Sequence, residues 1–192
     1  MDAAAVLRPG LLDGRVVALG GGEALGPPLA ALGAVTAALP PTRDEEAAAA
    51  AVADVLAAHE RVDVLLHDLR PAFAIGGDDA LRATLDATWI AVRAVAASAF
   101  IPAERGGRIV LVAPPADPAG TAVAGVRAAT ENLARTLSIE WARHRITTVA
   151  IAPGADTDGA QLATLAAYLA SPAGDYFSGT RLSLGELVVA GA

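Results

Sequence analysis

Gly20, Gly21 and Gly22 follow directly on the apolar run RVVAL (15–19), and an Ala/Leu-rich stretch then runs through Leu32. A strand that enters a glycine turn and leaves as a helix aims backbone N–H groups and a positive helix end at one point, where a pyrophosphate can sit. The same residues also serve as a plain tight turn in an Ala/Gly-rich chain. His67 closes the apolar run VDVLLH (62–67) and Asp68 follows it. That is the carboxyl end of a strand, where open α/β sheets bind ligands, although a solvated loop is the preferred reading for this pair. His59, His67 and His144 are widely spaced and no Cys is present, which argues against a metal site. No G-x-S-x-G elbow occurs, and Ser98, Ser138 and Ser171 fall within helical stretches or at their ends, so no hydrolase nucleophile stands out.

The composition removes further chemistry. All 14 basic residues are Arg, Cys is absent, and Tyr occurs only as Tyr168 and Tyr176. Schiff-base lysines, a P-loop lysine, cysteine nucleophiles and disulfides are therefore excluded. A net charge of −7 and scattered arginines argue against nucleic-acid binding. Apolar residues make up 54% but aromatics only 4%, and about a quarter of the chain is Ala, so core layers should be close-packed and Ala-lined. The apolar stretches at 46–58 and 87–103 are broken by Asp54 and Arg93 and read as too short or too polar to span a bilayer. The opening residues lack a signal-peptide pattern, so a cytoplasmic protein is the default.

The chain's 192 residues suit one domain, 1–192. Apolar strands at 15–19, 34–39, 62–67, 108–113, 146–152 and 180–184 alternate with helical patterns at 44–59, 80–102, 121–143 and 160–170. Thr42 or Asp44, followed by Glu45 and Glu46, makes an acidic helix start. Short, continuously apolar strands alternating with helices predict a three-layer α/β/α fold around a Rossmann-like, doubly wound parallel sheet.

The run RAATENLARTLSIEWARHRITTVAIAPG (127–154) closely resembles the helix–strand–Pro-Gly block of the short-chain dehydrogenases/reductases. VVALGGGEALG (16–26) resembles their TGxxxGxG cofactor turn, VDVLLHDL (62–69) the strand leading to NNAG, GRIVLVAPP (107–115) the strand bearing the catalytic Ser, and 165–185 their C-terminal block. The resemblance implies an NAD- or NADP-binding fold here of six strands with one edge βα unit missing, shortened between Gly20 and His67 and also between Gly154 and the 160–170 helix, where a substrate lid would lie. It implies cofactor contacts at Gly20, Gly21, Gly22, Leu25, Gly26, His67, Arg127, Pro153 and Gly154.

The same resemblance places Val123 at the catalytic Tyr, Arg127 at the Lys, Ala113 or Pro114 at the Ser and Thr88 at the relay Asn. An aliphatic side chain cannot transfer a proton, and an Arg holds its own too tightly for exchange. No residue is therefore assigned a catalytic role. Ala24 replaces the middle glycine of the turn, Pro27-Pro28 removes two N–H donors, and Leu39-Pro40 stands where an acidic residue would hold the ribose.

The helices 80–102 and 121–143 carry apolar residues on more than one face, including Trp89, Val92, Val95 and Phe100 in the first and Val126, Leu133 and Leu137 in the second. In the resembled family these two helices pair into a dimer bundle. The leading expectation is a degenerate, catalytically inactive family-like protein that acts as a homodimer or as a heteromer with a related subunit. The alternatives are a divergent NAD(P)-dependent oxidoreductase and a small-ligand sensor using the remnant crevice near Gly20, His67 and Pro153.

Overall fold

The computed structural model describes residues 3–117 and 119–185. Six parallel strands form one sheet: β1 (Val16–Gly20), β2 (Val35–Leu39), β3 (Val64–Asp68), β4 (Gly107–Val112), β5 (Ile146–Pro153) and β6 (Arg181–Leu184), in spatial order β2-β1-β3-β4-β5-β6. The order reverses between β1 and β3, which makes their carboxyl ends the topological switch point of a doubly wound sheet. Register across that point sets Gly20 beside His67, and His67 beside Leu111.

Eight α-helical segments accompany the strands among the described residues: α1 (Ala3–Val6), α2 (Gly26–Ala30), α3 (Glu45–His59), α4 (Arg70–Ile75), α5 (Ala80–Val95), α6 (Ile101–Ala103), α7 (Thr121–Glu140) and α8 (Gly159–Ala170). Side chains alternate across the strands, so each strand feeds two cores. Val17, Leu19, Val64, Leu66, Val110 and Ile151 pack with α2 and α8. Ala18, Leu65, Ile109 and Leu111 pack on the other face with α3, α5 and α7. β1, β3 and nearly all of β4 and β5 are buried throughout, which is why they read as unbroken apolar runs.

Local chemistry fixes the helix ends. Asp44, rather than Thr42, caps α3 by accepting the Ala47 N–H at 2.8 Å, and Glu60 closes the helix in the left-handed region (φ 64°). Asp158 and Gln161 form a reciprocal capping box at the start of α8. A π-helical turn, Ala96–Phe100, joins α5 to α6 and lets Phe100 sink completely into the core against Gly107, where any Cβ would strike its ring.

Two sequence expectations change. The helical run 77–103 is long and apolar enough to cross a bilayer, but half of its most apolar stretch is buried against the sheet. The second apolar face expected on the long helices is also narrower. Val92, Val95, Phe100, Val126 and Leu137 are all core, Leu133 packs against it, and α5 and α7 lie against each other. Trp89, Leu81 and Ile139 are the large apolar side chains these two helices leave exposed.

Truncating Leu66, fully buried in the central strand β3, should lower the free energy of unfolding by about 2–5 kcal/mol in Leu66→Ala, measured by urea denaturation.

Candidate functional site

The carboxyl ends of β1, β3, β4 and β5 bring together most of the residues singled out by sequence. His67 and Asp68 are not a solvated loop. They are the last two residues of β3, 4% and 2% exposed, with His67 against Gly20 and Thr88 of α5 and Asp68 against Gly21, Gly22 and Arg70. His67 Nε2 lies 3.2 Å from Thr88 Oγ1, and the Thr88 hydroxyl donates to the Thr84 carbonyl at 2.7 Å. With its own proton committed to Thr84, Thr88 can only accept from His67. The imidazole is therefore the Nε2–H tautomer, and its bare Nδ1 faces Gly20 with no hydrogen-bond partner. Burial pushes the His67 pKa down to about 4, against a smaller opposing pull from Asp68. A neutral, enclosed imidazole of this kind is a poor proton carrier at neutral pH.

The glycine turn packs on one side against the end of β3. Gly21 is left-handed (φ 69°), and a Cβ on it would fall 2.7 Å from the Asp68 carbonyl oxygen; a Cβ on Gly22 would fall 2.7 Å from Asp68 Cβ. The end of β3 thus needs glycine at both positions. The Asp68 carboxylate accepts the Arg70 backbone N–H at 3.0 Å and its guanidinium at 2.7–3.1 Å, and this bidentate pair holds the Arg70 charge more firmly than usual. Leu25 N–H donates to Gly22 O at 2.9 Å, Gly26 N–H donates to Glu23 O, and Pro27 and Pro28 have no donor. An open cleft of about 430 Å³ remains between Gly21, Gly22, Leu39, Pro41, Arg70 and Pro71.

Arg127 is buried (8% exposed) on α7, and its Nη1 donates to Pro114 O at 2.7 Å and Pro153 O at 2.6 Å. It ties the loop after β4 to the end of β5. Val123, one turn earlier, is also buried, as are Ala113 and Pro114. Gly154 donates its N–H to Leu184 O at 2.7 Å and lies against Gly185. Leu25 and Gly26 are buried, Gly26 beneath Leu19. Tyr168 stacks edge-on with Phe177, whereas Tyr176 is 91% exposed. Among the described residues no group of three His, Asp or Glu side chains could hold a metal ion.

Solved structures place this arrangement. The citronellol catabolism dehydrogenase of Pseudomonas aeruginosa PAO1 is 22% identical and superposes with a TM-score of 0.76, covering 93% of this chain and 96% of that one. A hydroxysteroid dehydrogenase from Escherichia coli is 20% identical, with a TM-score of 0.74 over 91% and 97%. A Burkholderia xenovorans protein described as a short-chain dehydrogenase/reductase is 18% identical, with a TM-score of 0.76 over 92% and 96%. The chain has the short-chain dehydrogenase/reductase fold. No family model matches its sequence, and no curated protein is detectably similar to it.

This fold implies a nicotinamide dinucleotide, and the residues present do not fit one in the usual pose. Asp68 lies directly against Gly21 and Gly22, the Leu25 and Gly26 N–H groups are bonded to Gly22 O and Glu23 O, Pro27 and Pro28 have no N–H, and the Arg127 guanidinium is engaged by backbone carbonyls. Sequence reasoning missed α4 and the Asp68–Arg70 pair. It also missed the Thr84–Thr88–His67 contact, although two threonines four apart amid apolar helix residues would have marked an inward polar step.

Because His67 resists protonation when folded, the unfolded chain binds more protons below its ordinary pKa. Stability should therefore fall as the pH drops from about 6.5 toward 4, by up to about 3 kcal/mol. Urea unfolding across this range should show a shallower loss in His67→Asn than in the wild type.

Proposed function

We propose that this chain is a short-chain dehydrogenase/reductase-like protein that has given up hydride transfer and acts in the cytoplasm by association, as a homodimer or with a related subunit. The observation that carries the reading is Arg127 bonded to Pro114 O and Pro153 O, with an aliphatic Val123 one turn before it. A group that donates to two backbone carbonyls holds the site together but offers no exchangeable proton near neutral pH. His67, neutral and enclosed, does not replace it. Only four residues separate Gly154 from the start of α8, too few to build a cover that would exclude water from a reacting centre.

Association is supported by the stripe Leu81, Leu85 and Trp89, spaced at successive i, i+4 steps on α5. Leu81 and Trp89 are 40% and 42% exposed. A second reading, a divergent NAD(P)-dependent oxidoreductase, is favoured by the open cleft beside Gly21, where Arg70 could turn from Asp68 to a ligand phosphate.

Purified protein incubated with each nicotinamide cofactor and a panel of aldehydes, ketones and alcohols should show no turnover above buffer. Turnover that is lost in Arg127→Met would establish the second reading. By sedimentation equilibrium at micromolar concentration the chain should be at least dimeric, and Leu81→Glu/Trp89→Glu should be monomeric with an unchanged far-ultraviolet spectrum. A monomeric wild type in the absence of a partner leaves the heteromer, which co-purification with a related subunit must then show.

A further inference from the structure

The opposite, amino-terminal edge of the sheet carries a second cavity of about 240 Å³, lined by Arg15, Arg105, Arg108 and Arg145 together with Asp63, Asp175 and Thr147. Four arginines against two aspartates leave a surplus of positive charge in a chain whose net charge is −7. Both aspartates are already engaged. Asp63 accepts the Val16 N–H at 2.8 Å and pairs with Arg61 at 3.1 Å, and Asp175 pairs with Arg108. Among the described residues, Arg8, Arg15, Arg105 and Arg145 are the arginines whose guanidinium groups have no acceptor, and three of these four line this one cavity.

The walls are built for close approach. Gly106 is left-handed (φ 79°), and a Cβ on it would strike the Arg145 carbonyl, so the 104–107 turn lies directly against Arg145. Arg145 itself holds a left-handed conformation (φ 57°) that asparagine or glycine adopts more readily. Arg108, 5% exposed, is fixed by a 2.7 Å bond to Leu169 O, an approach that only a glycine at 174 allows. Burial works against its charge, Asp175 supports it, and Arg15 works against it again. Thr147, paired in register with Arg108, has a buried hydroxyl with no hydrogen-bond partner.

Unpaired guanidinium groups lining one half-open cavity provide planar donor forks suited to phosphate oxygens. We propose that this cavity binds a compact phosphate-bearing small molecule, held by Arg15, Arg105 and Arg145 with Arg108 as the fixed base of the site. The site lies at the other end of the strands from the glycine turn and does not depend on the functional reading above.

The test is isothermal titration of the full-length chain with inorganic pyrophosphate, with citrate as a non-phosphate polyanion. Pyrophosphate should bind one per chain, more tightly than citrate. Arg105→Gln/Arg145→Asn should weaken it at least about tenfold, and Arg15→Gln should weaken it as well. A charge-matched control, Arg8→Gln/Arg82→Gln, should leave it within about twofold. Melting curves report whether each variant is folded, and Arg15→Gln decides the matter if the double variant is not. No saturable binding up to about 10 mM, equal loss in the matched control, or citrate binding as tightly as pyrophosphate would each overturn the proposal.

Discussion

A parallel sheet buried on both faces admits few polar side chains along its strands, and the placement of this chain's chemistry follows from that constraint. β1, β3, β4 and β5 contribute continuous apolar layers to two cores, so their ionisable groups are displaced to the strand ends. His67 and Asp68 finish β3, and Arg15, Arg108 and Thr147 stand at or near the starts of β1, β4 and β5. Each end becomes a concentration of charge, because strands distant in sequence terminate side by side.

At the carboxyl end, those groups are engaged by the chain itself, apart from the bare His67 Nδ1. Asp68 takes Arg70, His67 takes Thr88, and Arg127 takes the carbonyls of Pro114 and Pro153. In low-dielectric surroundings an unpaired polar group is costly, and internal pairing removes most of that cost. Such pairing stabilises the crevice and also uses up the donors a dinucleotide would need. A fold of this kind hosts many functions, so its architecture alone assigns none; the assignment rests on what the side chains at the crevice can exchange.

The strands, the long helices and the acidic start of α3, with Thr42 or Asp44 as its cap, were legible because apolar periodicity and capping are local signals. The reading of Val123 and Arg127 had a different source, the resemblance of the ungapped run 127–154 and counting back from it. Burial at His67 and Asp68 was not legible, since it depends on residues distant in sequence, Thr88 on α5 and Gly20 to Gly22 after β1, that meet only at the end of β3. The arginine-lined cavity was hidden more completely. Arg15, Arg105, Arg108 and Arg145 look scattered along the chain, and only the starts of β1, β4 and β5, on the two sides of β3, gather them.

A cleft of about 430 Å³ stays open beside Gly21, but Arg70 and Arg127, the cations that border the crevice, are engaged by Asp68 and by the Pro114 and Pro153 carbonyls, and that engagement is what should disfavour a nicotinamide dinucleotide. Calorimetric titration of the purified protein with the oxidised and reduced forms of NAD and NADP measures this directly. The account predicts no binding tighter than about 100 µM, roughly −5.5 kcal/mol, for any of the four. Saturable binding below that value, weakened by Gly21→Ala, would contradict it.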